Sequence, residues 1–364
     1  MKLKVAKEKI LQGLQIVQGV IGARSTLPIL SNVLLQAEKD KLWLTTTDLD
    51  MSVRCGVEAE VTKTGASTLP ARRLFSIIRE LPAEMIEIEI DEKNTASITC
   101  GSSFFKILGL SEEEFPPLPK FDKGHTCSMA QDAFKDMLEK TSYAASSDET
   151  RHVLNGTLLS FKDGKVIAVA TDGRRLALVE MELEFPKDAE ADMIVPTKAV
   201  NEILRTAGGD APVKIQAVKN QVAFQFGDTL IVSKLIDGTY PNFRQVIPKQ
   251  SEERIVLERE TFLTAVKRVA LLTSERSNSV RLTFAKNKLK VSVSTPDVGE
   301  AYESVAVKYA NKEISVAFNP EFILDPLRHL SSDEVFLEIT DDLSPGVIKC
   351  EKPFIYVLMP MRVT

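Results

Sequence analysis

Four basic side chains are spaced so that a single chemistry can use them. Arg72 and Arg79 belong to the segment ARRLFSIIRE, and Lys198 and Arg205 to TKAVNEILRT. Apolar residues recur at helical spacing in both, Leu74, Ile77, Ile78 and Leu81 in the first and Val200, Ile203 and Leu204 in the second. At about 100° per residue, both basic pairs fall on the face opposite the apolar stripe. The two pairs are 126 residues apart. A single basic helix face is usually just a solvated face. Its recurrence in a chain of 46 basic and 51 acidic residues points to a positive surface turned toward a polyanion. Such a surface neutralises phosphates without reading bases, giving salt-sensitive contact that permits sliding. A third segment, PEFILDPLRHL, departs from the pattern: Phe322 and His329 take the matching positions, with Arg328 alongside.

Signals for catalysis are missing. There is no G-x-x-x-x-G-K-[ST] phosphate loop, no H-E-x-x-H and no G-x-S-x-G. His125, His152 and His329 are far apart in sequence, and isolated histidines are more often surface or core residues than catalytic ones. Adjacent carboxylates such as Asp341–Asp342 and Glu112–Glu114 are usually solvated. Asp48 in TTDLD and Asp172 in ATDG resemble active-site acids, but their recurrence fits a strand-end turn in which Asp bonds its own backbone. Cys55, Cys100, Cys127 and Cys350 form no C-x-x-C pair and have no histidine nearby in sequence, so they read as buried or inert thiols. The expectation is a non-enzyme with no cofactor and no metal.

The elements that position these residues repeat along the chain. Leu34, Leu158 and Leu282 are spaced by 124 and 124 residues, and so are Thr47, Thr171 and Thr295. Pro70, Pro196 and Pro320 follow at steps of 126 and 124, each opening a helical stretch, where a missing N–H costs nothing. Each third also carries an earlier helix, such as QDAFKDMLEKT with Phe134, Met137, Leu138 and Thr141 at helical spacing, or RETFLTAVKRVA. Alternating strands such as KVIAVAT, KLKVSVST, MIEIEI and QVAFQF lie between the helices. The Pro-rich stretches FPPLPKF (115–121) and TYPNFRQVIPK (239–249) read as linkers, because Pro cannot continue a ladder. The predicted domains are therefore 1–121, 122–248 and 249–364 of an α+β chain. Like units stacked head to tail leave complementary edges at the two ends, and such contacts close into rings where the rotation permits.

Bulk properties agree with a globular, multi-domain chain. It has 364 residues, 44% hydrophobic and 27% charged, with a net charge of −5. The N-terminal segment is charged and has no signal-peptide apolar core, and no apolar run reaches the roughly 18 residues that span a membrane. The reading is cytoplasmic. No zinc-finger spacing appears, and 6% aromatic residues disfavour a single-strand stacking platform. Two other classes compete with a DNA-encircling protein. A nuclease would need clustered carboxylates or a nucleophile–base pair and would cleave DNA with metal. A repeat protein that binds only proteins would not be held on circular DNA.

A resemblance sharpens this reading. The segments TLPILSNVLLQA (26–37), TTDLDMSV (46–53), LPARRLFSI (69–77), LNGTLL (154–159), ATDGRRLAL (170–178), KLIDGTYPNFRQVIP (234–248) and VLMPMR (357–362) together resemble the bacterial beta sliding clamp family, the DNA polymerase III beta subunit, over the full length. The resemblance implies three repeated clamp domains in each chain and a head-to-tail homodimer. Its ring has helices lining a central hole and antiparallel sheets outside. It implies a processivity factor that encircles double-stranded DNA without sequence preference and is loaded by an ATP-driven clamp loader. Polymerases, a clamp loader subunit and repair proteins would bind through short linear motifs.

The resemblance also implies site residues. One wall of the motif pocket maps onto Arg151, Leu154, Thr171, Gly173, Arg174, Arg175, Leu176, Pro241 and Val246. The other maps onto Asn319, Phe322, Ser344, Val357, Met359, Pro360, Met361 and Arg362. Many family members carry His where Arg174 stands and Tyr where Phe322 stands. The leucines, valines and methionines would form an adaptable apolar floor and the arginines directional rim donors. For DNA the implied residues are Arg24, Arg72, Arg73, Lys198 and the loop from Asp148 to His152, beside the Arg79 and Arg205 of the helix faces. Family members often have aromatic residues where His152 and Val153 stand. For the ring seam they are Phe105 on one chain and Leu271 and Leu272 on the next.

Overall fold

The computed structural model describes every residue except 23–26, 120, 122–124, 219, 249–253, 275–276, 297, 352 and 363–364. Arg24 and the boundary at 122 thus lie outside the described residues.

The threefold order expected from the sequence is present. The first third runs β1 (Lys2–Ala6), α1 (Lys7–Val17), β2 (Asn32–Glu38), β3 (Lys41–Thr47), β4 (Met51–Glu58), β5 (Glu60–Lys63), β6 (Gly65–Pro70), α2 (Ala71–Glu80), β7 (Met85–Ile90), β8 (Thr95–Cys100) and β9 (Ser103–Leu108). The second repeats this, among the described residues without a counterpart of β5: β10 (His125–Met129), α3 (Gln131–Glu139), β11 (Gly156–Lys162), β12 (Lys165–Thr171), β13 (Arg175–Glu182), β14 (Ala191–Pro196), α4 (Thr197–Thr206), β15 (Val213–Val218), β16 (Gln221–Phe226) and β17 (Thr229–Lys234). The last third follows as β18 (Arg254–Glu258), α5 (Arg259–Val269), β19 (Val280–Ala285), β20 (Lys288–Thr295), β21 (Gly299–Ala306), β22 (Ile314–Phe318), α6 (Pro320–His329), β23 (Glu334–Glu338), β24 (Gly346–Lys349) and β25 (Phe354–Leu358).

Two compact units cut across these thirds. Unit 1 comprises residues 1–135, 185–189 and 198–235. It holds a five-stranded sheet, β5-β1-β7-β8-β9, and an eight-stranded sheet, β10-β15-β16-β17-β4-β3-β2-β6. The pairing of β17 with β4 joins the second third to the first. α1 packs on β4 and α2. The predicted stripe of α2 faces the core: Leu74, Ile78 and Leu81 are buried, and Ile77 is half-buried.

Unit 2 comprises residues 136–184, 190–197 and 236–364. Its sheets are β14-β11-β12-β13-β25-β24-β23-β18 and β21-β20-β19-β22. Here β13 pairs with β25, joining the third third to the second. α5 packs on β20, β21 and α6. Pro320 stands in the first turn of α6, and the Asn319 side chain caps it by accepting from the Glu321 N–H at 3.0 Å.

Among the described residues, β9 ends one sheet of unit 1 and β21 ends one sheet of unit 2. Exposed apolar side chains mark both edges, Phe104 and Leu108 on β9 and Tyr302 on β21. All four cysteines are buried, and burial pushes the Cys127 thiol up to about 11. No helix is long and apolar enough to cross a membrane among the described residues.

Candidate functional site

The apolar floor of the site is one face of the second-third sheet in unit 2. Leu158, Ile167, Val169, Leu176, Leu178 and Ile194 alternate along β11 to β14, and β25 adds Val357. Val153, Ile236, Tyr240, Phe243 and Ile247 pack against this face. Residues 239–248 of the stretch expected to be a linker form a structural wall: Phe243–Val246 makes a 3-10 turn with Tyr240, Phe243 and Ile247 turned inward. Burial raises the Tyr240 phenol well above the ordinary tyrosine range. Pro241 and Val246 stay exposed on the outside of the same segment.

Strand pairing and backbone bonds join the two predicted walls. β13 and β25 set Leu176 opposite Val357 and Arg175 opposite Leu358. Beyond the strand, the Met359 N–H donates to the Arg174 carbonyl at 2.9 Å and the Met361 N–H to the Ala317 carbonyl at 2.7 Å. The C-terminal segment is thus stitched to the second third and to the strand that leads into Asn319. Met359 and Met361 nonetheless keep 43% and 39% of their surface exposed, and Val246 48%. Exposed apolar groups beside a buried apolar floor suit a recognition groove.

Arg175 is the polar centre. Its guanidinium donates to Asp172 at 3.1 Å, to Asp325 at 2.5 Å and to the Tyr143 carbonyl at 2.8 Å. It also lies 4.6 Å from the centre of the Phe322 ring. Its side chain is only 11% exposed. The turn before it is built as the sequence suggested: Asp172 Oδ1 accepts from the Arg174 and Arg175 N–H groups, as Asp48 Oδ1 does from Asp50 and Met51. Gly173 takes a φ of +84°, and a Cβ there would come 2.9 Å from Arg151 Nη1, which donates to the Asp172 carbonyl. Leu154 follows Arg151 in a turn closed by its N–H on the Arg151 carbonyl. Ser344 is held locally by Asp341, two residues before Gly346 pairs with Leu358. Arg151, Arg174 and Arg362 are exposed. Pro360 is half-buried. Sequence reasoning missed Asp325 and Tyr143. Nothing in the sequence marks Asp325, in the next third, or Tyr143, 32 residues before Arg175, as its partner.

The predicted basic face divides. Arg72, Arg73 and Arg79 are exposed on α2, with Arg72 reaching the Gly22 carbonyl at 3.2 Å. Lys198 and Arg205, expected on a face turned toward DNA, are not free cations. Lys198 pairs with Asp48 and donates to the Val20 carbonyl. Arg205 donates to the Gln15 and Ile16 carbonyls at 2.6 and 2.5 Å, and pairs with Glu202, which is 5% exposed. These carbonyls end α1, where a cation is favoured. His152 is exposed in a 3-10 turn of unit 2. Leu271 is 78% exposed and Phe105 38%, while Leu272 is half-buried. No cluster of three or more metal-type ligands occurs among the described residues.

Comparison with known proteins decides the family. Three consecutive family models match: the N-terminal domain of the DNA polymerase III beta subunit at residues 1–119, its central domain at 128–242 and its C-terminal domain at 244–362. The chain belongs to the DNA polymerase III beta subunit family. The beta sliding clamp of Chlamydia muridarum is 38% identical, covering 100% of this chain and 99% of that protein. That of Escherichia coli is 35% identical with 100% of each covered. The crystal structure of the Bartonella birtlesii sliding clamp, solved bound to griselimycin, has a TM-score of 0.95 at 34% identity with 100% of both chains covered. As a sliding clamp subunit, the chain is a non-catalytic processivity factor for DNA polymerase III, and acts on DNA in the cell interior.

Proposed function

We propose that two copies of this chain close head to tail around duplex DNA, and that the groove in unit 2 takes short linear motifs from polymerases, the clamp loader and repair proteins. The observation that carries the ring reading is the pair of edges left over. The second third joins the first through β17 and β4, and the third joins the second through β25 and β13. Closing the same pattern once more requires β9 of one copy and β21 of the other. Phe105, Leu271 and Leu272 lie on or beside these edges. Like edges buried in this way are removed from aggregation.

The groove reading rests on Leu154, Leu176, Val246, Val357, Met359 and Met361 as apolar contacts. Arg151, Arg174, Arg175 and Arg362 are its donors, and Thr171, Gly173, Pro241, Asn319, Phe322, Ser344 and Pro360 shape it. Arg24, Arg72, Arg73, His152, Lys198 and Arg205 are assigned to the DNA side. The proposed domain boundary near 122 falls between the matches that end at 119 and begin at 128, while that near 248 lies a few residues inside the match that begins at 244; a cytoplasmic location fits an action on bacterial DNA.

Topological retention tests the ring. Clamp loaded on nicked circular DNA should remain bound and should leave once the circle is linearised. Equal dissociation from both substrates would remove the ring reading.

A further inference from the structure

We infer that Arg79 is a seam residue, which caps the C-terminal end of α5 in a second copy of this chain rather than facing DNA. The inference rests on the ring reading and goes beyond it in one residue's role. It starts from the two internal junctions, which share one register. Thr229 stands opposite Cys55 and Ser233 opposite Met51 at the first. Phe354 stands opposite Val179 and Leu358 opposite Arg175 at the second. Residues 51 and 55 shifted by the repeat of 124 are 175 and 179.

At both junctions the last turn of the later helix also touches the preceding third. Arg205 of α4 donates to the Gln15 and Ile16 carbonyls at the end of α1. A Cβ on Gly19 would collide with the same guanidinium. At the second junction His329, which ends α6, stacks on Tyr143 with ring centres 4.6 Å apart. The chemistry differs, and the position that makes the contact does not.

The third instance of this position is Arg79, 126 residues before Arg205 just as Pro70 precedes Pro196. The carbonyls matching Gln15 and Ile16 are those of Lys267 and Arg268, since β1 opens at Lys2 and β18 at Arg254. Among the described residues Arg79 has an exposed pairing with its neighbour Glu80 at 3.0 Å, both side chains more than half exposed, and a distant ring, Phe75. Such a pair contributes little and is readily exchanged. The charge of Arg268 is already met by Glu303, which lessens the repulsion that a second guanidinium meets in a turn that also carries Lys267. The carried-over register also sets Phe104 opposite Tyr302 and Lys106 opposite Glu300. Two exposed aromatics meet, and opposite charges face each other.

The test uses the full chain as Arg79→Ala and Arg72→Ala, with wild type alongside. Dimer dissociation is read by subunit-exchange fluorescence on dilution, and DNA association by a salt series. Two charge-assisted bonds are lost at each seam, so Arg79→Ala should move the dimer midpoint to at least about tenfold higher concentration. Its salt dependence for DNA should stay at the wild-type slope. Arg72→Ala should leave the dimer midpoint alone. An unchanged midpoint for Arg79→Ala with a shallower salt slope would return Arg79 to the DNA side and overturn the inference. A wild-type chain that is monomeric at micromolar concentration would instead overturn the ring reading itself.

Discussion

The guanidinium of Arg175 lies 4.6 Å from the centre of the Phe322 ring while its Nη1 holds the Asp325 carboxylate. One side chain of the second third thereby holds two neighbouring side chains, three residues apart on one face of α6. The planar fork serves both contacts at once, which an ammonium cannot do. Arg175→Ala should therefore destabilise the protein by about 3 kcal/mol, as expected for breaking a largely buried ion pair. It should also weaken motif peptides, because the groove loses its central donor. Arg175→Lys should recover part of the stability and little of the peptide affinity. Thermal unfolding and peptide anisotropy on the same samples check this. Wild-type stability in Arg175→Ala would show that the pair is dispensable.

Much of this fold was legible because periodicity and spacing are local signals. The Pro70, Pro196 and Pro320 register locates α2, α4 and α6, and the recurring TD pairs predict the strand-end turns that Asp48 and Asp172 close. Contacts between thirds were not legible. Val200 and Ile203 were read correctly as core, but Glu202 is buried with them and Leu204 is only half-buried. A helical wheel drawn for α4 alone sees no neighbour. Glu202 is buried because Arg205 sits beside it on the end of α1, a partner about 190 residues away in sequence. The wall at Tyr240 and Phe243 was missed for a similar reason. Its prolines signal an irregular backbone, and irregular backbone can be packed as well as loose.

Arg205 gives a pH-dependent prediction. Burial holds the Glu202 carboxyl above its ordinary value near 4.5, and Arg205 opposes that rise. A carboxyl whose folded pKa is raised keeps its proton in the native state while the unfolded chain has lost it, so stability falls as pH rises through that window. Arg205→Ala removes the opposing charge and widens the window. The variant should lose about 2 kcal/mol at pH 8, from the lost bonds to Gln15 and Ile16 and the unpaired carboxylate. Part of that loss should return near pH 5. Unfolding midpoints across pH 5 to 8 provide the measurement, and a loss independent of pH would separate Glu202 from the effect.

The seam register can be tested by charge exchange. If Lys106 of one copy faces Glu300 of the other, Glu300→Lys places like charges opposite each other at both seams and should weaken the dimer. Adding Lys106→Glu to the same chain restores opposite charges and should recover most of the loss. Sizing by light scattering over a dilution series reads both. The effect of each single change should be modest, about 1 kcal/mol per seam, because the site is at the rim of a sheet edge. Additive damage in the double variant would show that the strands meet in another register.

The C-terminal segment separates motif binding from assembly. Leu358 is 1% exposed and is paired in β25 with both Arg175 and Gly346, so it belongs to the sheet. A deletion that begins at residue 359 spares it. That deletion removes Met359 and Met361, whose amides are bound to Arg174 and Ala317 and whose side chains are left partly exposed over the groove. Grooves of this kind bind through a few anchored side chains, so removal of one wall should weaken polymerase or loader peptides by at least about thirtyfold. The proposed seam uses Phe105, Leu271 and Leu272, none of them in the deleted segment, so the shortened chain should remain a dimer. Met361→Ala should weaken every motif-bearing peptide in the same direction, because they share one site. Fluorescence anisotropy with sizing of the same samples reads both properties. A dimeric deletion variant with undiminished peptide affinity would show that the tail only closes the sheet, and the groove would have to be sought elsewhere in the chain.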